Sequence, residues 1–228
     1  IGAERGLGLG LAGEFFARGW AVCGTARPGD EAADLRAVGA SDPSRLTLGS
    51  IDVTDPAGIA PFLQALGGQR FDVIFSNAGI WGPLHQSAVE VTAAEVVDVM
   101  MTNTFGPIRL AHRLLPHLAE SGGTLAFMSS HRASIAINHE GGLELYRASK
   151  AALNMLARGL HAQNKARGLT VLSIHPGWVA TRMGTLDGTV SAEMEVGPSV
   201  RGVADVVERH RGSGENLYRD WQDRSLDW

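Results

Sequence analysis

Tyr146 and Lys150 stand four residues apart in the run Leu145-Tyr146-Arg147-Ala148-Ser149-Lys150. On a helix that spacing puts a phenol and an ammonium on one face. A neighbouring cation favours the phenolate and draws a tyrosine from its ordinary pKa of about 10 towards neutrality. A tyrosine so tuned can give or take a proton near physiological pH. Upstream, Ser129-Ser130 closes an apolar, strand-like run. The chain opens on Gly2-Ala3-Glu4-Arg5-Gly6-Leu7-Gly8. Glycines there let the backbone turn tightly and approach a pyrophosphate, and the N-terminus of the helix that follows supplies free N–H groups. The spacing is G-x-x-x-G-x-G rather than G-x-G-x-x-G, and alone it also fits a plain helix-entry loop.

The end of the second expected strand carries the cofactor preference. Many NAD sites place an acid there, against the ribose 2′-hydroxyl; this chain has Thr25-Ala26-Arg27-Pro28. An arginine accepts a 2′-phosphate and an acid repels one, so the expected cofactor is NADP(H), with NAD(H) second. Arg5 is a candidate second clamp, although two solvated arginines are the plain alternative. Asp52 and Val53 are candidates for the adenine, and Asp52 equally for a helix N-terminal residue. Ser76-Asn77-Ala78-Gly79 supplies small residues against which a cofactor can lie, and Asn77 can tie neighbouring loops together.

The elements that must position these residues read as alternating short apolar runs and amphipathic stretches, the pattern of βαβ units around a parallel sheet. Helices are expected at about 7–18, 30–38, 56–66, 93–119 (with Pro107 bending or interrupting it), 143–167 and 200–210. Strands are expected at 21–26, 46–53, 71–78, 123–130, 170–175 and 216–220. The segment 185–198 lacks a period and reads as a substrate loop. The chain starts at Ile1, inside the glycine motif, so a leading strand is expected before it. The whole of 1–228 reads as one doubly wound α/β domain, with helices on both faces.

The bulk composition narrows the function further. With 228 residues there is ample length for a large core, and 44% hydrophobic and 19% charged residues are ordinary for a globular protein. A net charge of −4 with scattered Lys and Arg argues against nucleic-acid binding. Cys23 is the only cysteine and reads as a core thiol, consistent with a reducing cytoplasm. No apolar run reaches the roughly 18 residues of a membrane span. His131, His139, Glu140 and His175 match no zinc spacing, so no metal is expected. Trp81 and Trp178 fall after strand ends, as an apolar substrate wall or as packing under a loop. The stripe Leu153, Met155, Leu156, Leu160 reads as core or subunit interface.

Taken in order along essentially the whole chain, Gly2/Gly6/Gly8, Ser76-Asn77-Ala78-Gly79, Asn103, Ser130, Tyr146/Lys150 and Pro176-Gly177 resemble the short-chain dehydrogenase/reductase family. The stretches Tyr146–Met155, His175–Thr181 and the Asp220-Trp221…Leu226-Asp227-Trp228 ending are similar to its carbonyl-reductase-like branch, which holds C-factor and sniffer-type proteins. The resemblance implies Tyr146 as general acid, Ser130 polarising the substrate oxygen, Lys150 lowering the Tyr146 pKa and bonding the nicotinamide ribose, and Asn103 holding a proton-relay water. It implies that Leu7, Pro176, Gly177, Val179 and Thr181 border the cofactor, and that the protein is a homodimer or homotetramer acting on a small carbonyl substrate. Ser129 would be a structural neighbour. Ile1 stands where the family has Thr, and Ser76 where it has Asn. Ser130 and Tyr146 lie sixteen apart, a longer gap than usual, which places an insertion at 138–142 over the substrate pocket. Two other functions share these motifs. One is a non-catalytic NADP-binding regulator. The other is a nucleotide-sugar epimerase or dehydratase, which needs a larger segment after Pro176-Gly177 than the fifty or so residues present.

Overall fold

In the computed structural model, which describes residues 1–228, the order of elements is α1 (Gly6–Ala17), β1 (Val22–Ala26), α2 (Ala33–Val38), β2 (Leu46–Ser50), α3 (Ile59–Leu66), β3 (Val73–Ser76), α4 (Ala93–Met100), α5 (Gly106–Leu114), β4 (Thr124–Met128), α6 (Glu144–Asn164), β5 (Thr170–His175), α7 (Val196–His210) and β6 (Asn216–Asp220). Every strand pairing is parallel. Parallel neighbours need crossovers, and the helices supply them on both faces. β4 shows how: its residues alternate, Leu125 and Phe127 entering the core beneath α3, α5 and α6, and Ala126 and Met128 the core beneath α1 and α7.

The hydrogen-bonded strands run in the orders β1-β2 and β3-β4-β5-β6, with residues 1–3 between β1 and β3. Residues 1–3 bridge them: the Ile1 N–H donates to Phe75 O (2.7 Å), Asn77 N–H to Ile1 O (3.0 Å) and Ala3 N–H to Thr25 O (2.8 Å). Below this bridge an apolar slot lies between Val22–Gly24 of β1 and Phe71, Val73 and Phe75 on the β3 side.

Two expectations change. The long helix 93–119 is broken into α4, a π-helical turn at Met101–Phe105, α5 and a 3₁₀ turn at Leu115–His117. Pro107 lies in the first turn of α5, where a missing N–H is tolerated; the irregularity precedes it. Gly106 follows the π turn because a Cβ there would meet Val53 O at 2.4 Å and Met101 O at 2.5 Å. The loop expected at 185–198 ends earlier, since α7 begins at Val196. No helix is long and apolar enough to cross a membrane.

Candidate active site

The predicted site residues gather where the strands end, as expected for an open α/β sheet: Arg27 after β1, Asp52 after β2, Asn77–Gly79 after β3, Ser130 after β4 and Pro176-Gly177 after β5. The glycine turn is held from two sides. The Asn77 side-chain amide donates to Gly2 O (2.9 Å), and the Gly2 N–H donates to the buried Thr25 hydroxyl (3.1 Å). Gly2 and Gly6 have φ of +74° and +54°, a region that side chains disfavour. A Cβ on Gly8 would stand 1.9 Å from Gly2 O and 2.6 Å from the Asn77 amide nitrogen. Leu7 packs on the α1–α7 core, and α1 starts without a side-chain cap, leaving its first N–H groups free. Glu4, which sequence reasoning passed over, has one carboxylate oxygen buried without a partner, and its other oxygen lies 3.9 Å from Arg27 Nε. Free N–H groups, close backbone approach and an orphaned polar atom together fit a dinucleotide.

Beyond the turn, Thr181 lies 3.6 Å from the Cβ position of Gly6. Val179 is buried and bridges to Met194, and Gly177, at φ +87°, leaves no room for a side chain between Met194 and Trp221. Asp52 accepts from the Thr54 N–H (2.8 Å) and hydroxyl (2.7 Å), making a local turn, and α3 starts seven residues further on without it. The Val53 side chain belongs to the core. Arg5 is exposed, and so is most of Arg27.

α6 carries Tyr146, Ser149 and Lys150. Its apolar residues Leu145, Leu153, Ala157 and Leu160 are buried, which sets the face that Tyr146 and Lys150 present. Asn103, fully buried in the π turn, grips Ile80 by both backbone groups: its Oδ1 accepts the Ile80 N–H (2.7 Å), and its Nδ2 donates to Ile80 O (2.9 Å) and to Ser149 Oγ (3.0 Å). The Asn103 side chain is therefore a clamp on the segment after β3. Pro107, four residues on, has no N–H to give the Asn103 carbonyl. Between Asn103 and Lys150 sits Gly79, whose Cβ position is 3.2 Å from Asn103 Oδ1 and 3.3 Å from Lys150 Nζ.

The Ser130 hydroxyl caps its own 3₁₀ turn by accepting the Arg132 N–H (3.1 Å), and it also hydrogen-bonds the Tyr146 phenol. Ser129 donates to Asn154 (2.7 Å), behind the site. The Tyr218 hydroxyl donates to Ser130 O, fixing that residue's backbone.

The electrostatics depart from the simple reading of the pair. Burial pushes Tyr146 up to about 12, against a smaller lowering by the Ser130 hydrogen bond. Burial also lowers Lys150 to about 8. Lys150 Nζ donates to Met128 O (2.9 Å) and lies 5.9 Å from the phenol ring centre, so desolvation outweighs the expected attraction. Tyr146 is thus a protonated phenol at neutral pH.

Three contacts were not foreseen from the sequence, although Trp81, His131 and His175 were named in it. Trp81 stacks on Tyr146, with ring centroids 4.9 Å apart and planes inclined by 29°. Gln86 bonds to both of their backbones. His131 Nδ1 and His175 Nε2 approach to 3.0 Å, and burial lowers His175 to about 3, so that ring is neutral. None of the three had a spacing signal, because each depends on loops meeting. Residues 138–142 are exposed; Glu140 of that segment pairs with Arg132, while Arg147 holds the Gly141 and Gly142 carbonyls.

A family model described as enoyl-(acyl carrier protein) reductase matches residues 2–196. The C-signal protein of Myxococcus xanthus is 34% identical over 158 residues, 69% of this chain and 92% of that protein. A short-chain dehydrogenase/reductase from Burkholderia multivorans, solved with bound NADP, superposes with a TM-score of 0.93 at 38% identity, covering 100% of this chain and 96% of the other. The carbonyl reductase Sniffer of D. melanogaster gives 0.83 at 28% identity, covering 100% and 97%. With the ordered motifs, the parallel α/β fold and these matches in agreement, the chain is a member of the short-chain dehydrogenase/reductase family.

Proposed function

We propose that the protein is an NADP(H)-dependent reductase of ketones or aldehydes, in which Tyr146 protonates the oxygen of the carbonyl. The observation that carries this reading is the meeting of Ser130, Tyr146, Lys150 and the Asn103 clamp at one end of the sheet. The Ser130 hydroxyl and the Tyr146 phenol address one substrate oxygen, polarise it and place it for reaction. A phenol at about 12 keeps its proton at neutral pH, yet yields it to an alkoxide, which is far more basic. That suits Tyr146 to act as the acid when a carbonyl is reduced. Lys150, charged below about 8, adds positive charge near the developing anion. Gly2, Gly6, Gly8 and the start of α1 would hold the pyrophosphate, Arg27 and Arg5 the 2′-phosphate, and Asn77–Gly79, Pro176, Gly177, Val179 and Thr181 the nicotinamide half. The bound cofactor supplies the hydride.

Leu84, Ile135, Trp178 and Met183 are exposed on the loops that follow β3, β4 and β5, which supports a substrate with an apolar group beside its carbonyl. Val97, Phe105 and Met155 are exposed on α4, the π turn and α6, which supports pairing of two copies through those helices in the cytoplasm. The similarity to C-signal favours a second reading, an NADP-binding regulator without turnover. Consumption of NADPH and NADH with a panel of small ketones, aldehydes and quinones separates the two. Turnover with at least about tenfold preference for NADPH, lost in Arg27→Ala, is the expected result. Tight NADPH binding without turnover would favour the regulator.

A further inference from the structure

The first turn of an α-helix leaves N–H groups without intrahelical partners. α6 begins after Leu143, whose backbone is left-handed (φ +53°) and whose side chain makes no cap. The partners come from another loop. Gln86 is 2% exposed and is itself left-handed at φ +55°, a conformation disfavoured for a residue with a side chain. Its backbone carbonyl accepts the Leu145 N–H (3.3 Å) and its Oε1 accepts the Tyr146 N–H (2.8 Å). Its Nε2 donates to Trp81 O (2.9 Å) and Pro83 O (2.6 Å). The orientation of the amide follows from this, since two carbonyls need donors and one N–H needs an acceptor. One side chain therefore spans the backbones of the two residues whose rings stack at 4.9 Å. Trp81 has no other anchor through its indole N–H, which is buried without a partner.

We propose that Gln86 is a positioning residue for the reaction: its amide links Trp81 to Tyr146, holds the aromatic pair together and sets the place of the phenol. The proposal rests on Tyr146 being the proton donor. It explains why a buried amide occupies a strained backbone position here, where a turn alone would take glycine.

Gln86→Glu gives a test that can be reversed in one sample. A protonated carboxyl keeps an acceptor for the Tyr146 N–H and a donor for one carbonyl; a carboxylate turns two oxygens towards carbonyls with no proton between them. Burial raises that carboxyl above its ordinary value of about 4.3. The other ionisable groups around it are Glu144, Tyr146 and Lys150 on α6, and His85, paired with Glu90 at 3.9 Å and Glu95 at 3.4 Å, on the loop. In Gln86→Glu, kcat is expected to approach that of the wild type in acid and to fall at least about tenfold as pH rises, reversibly and with unchanged NADPH affinity. The wild type should show no such fall below the pH of about 8 at which Lys150 loses its proton. Gln86→Asn, one methylene shorter, should lose kcat at every pH. The near-UV circular dichroism of Trp81, isolated by difference against Trp81→Phe in each background, should titrate with the same midpoint. Wild-type kcat, pH profile and Trp81 signal in both variants would overturn the proposal, as would loss of activity only in step with NADPH binding and thermal stability. If the wild type turned over no carbonyl, the assignment of Tyr146 would fail, and the Trp81 signal would still decide whether Gln86 holds the pair.

Discussion

Tyr146 and Lys150 owe their protonation states to the same cause, removal from water, acting in opposite directions on an acid and a cation. For Lys150 this has a measurable consequence. An unfolded lysine keeps its proton to about 10.5, whereas the folded one releases it at about 8. Between those values the unfolded chain binds more protons, so the lysine's contribution makes stability rise with pH across that window. Tyr146, raised from 10.0 to about 12, acts the other way above pH 10, where only the unfolded phenol ionises. The difference in melting temperature between wild type and Lys150→Met isolates the lysine: it should shift in favour of the wild type from pH 8 to 10, and kcat should fall at least about a hundredfold in the variant. A flat difference would show that Lys150 is solvated. The placement of this pair on one helix was legible from its spacing. The sign of the Tyr146 shift was not, because it depends on the depth of burial and on Met128 O competing for the ammonium.

At the scale of elements, a clamp at each end holds the site: Asn77 on the glycine turn, Asn103 and Gln86 on the segment after β3. The turn's tightness gives a sharp expectation. Gly8→Ala puts a methyl group 1.9 Å from Gly2 O and 2.6 Å from Asn77 Nδ2, so the turn must open. NADPH affinity, followed by fluorescence titration, should drop at least about a hundredfold, as when backbone approach to a phosphate is blocked. Near-wild-type affinity would contradict the geometry of the turn. α6 was legible because its apolar residues repeat with helical period over twenty-one residues. The break at Met101–Phe105 was not, since a π turn leaves no punctuating residue; Pro107 drew attention to a place just past it. Gln86 was hidden for a related reason, as a cap supplied from sixty residues away has no local pattern.

For the whole molecule, alternating apolar runs were enough to read a parallel α/β fold with helices on both faces. Which strands lie side by side depends on lateral hydrogen bonds that no single run reveals. Exposed Val97 and Met155 sit on helices expected to pair, and Met155→Glu should convert a dimer or tetramer to a smaller species in light scattering; an unchanged mass would place the interface elsewhere. The central claim concerns turnover by the intact protein, and Tyr146→Phe addresses it most directly by removing one hydroxyl while keeping the ring that stacks on Trp81. With a ketone or aldehyde that the wild type reduces, the variant should bind NADPH with unchanged affinity and lose at least about a thousandfold in kcat. Retention of wild-type kcat in Tyr146→Phe would show that the proton comes from elsewhere.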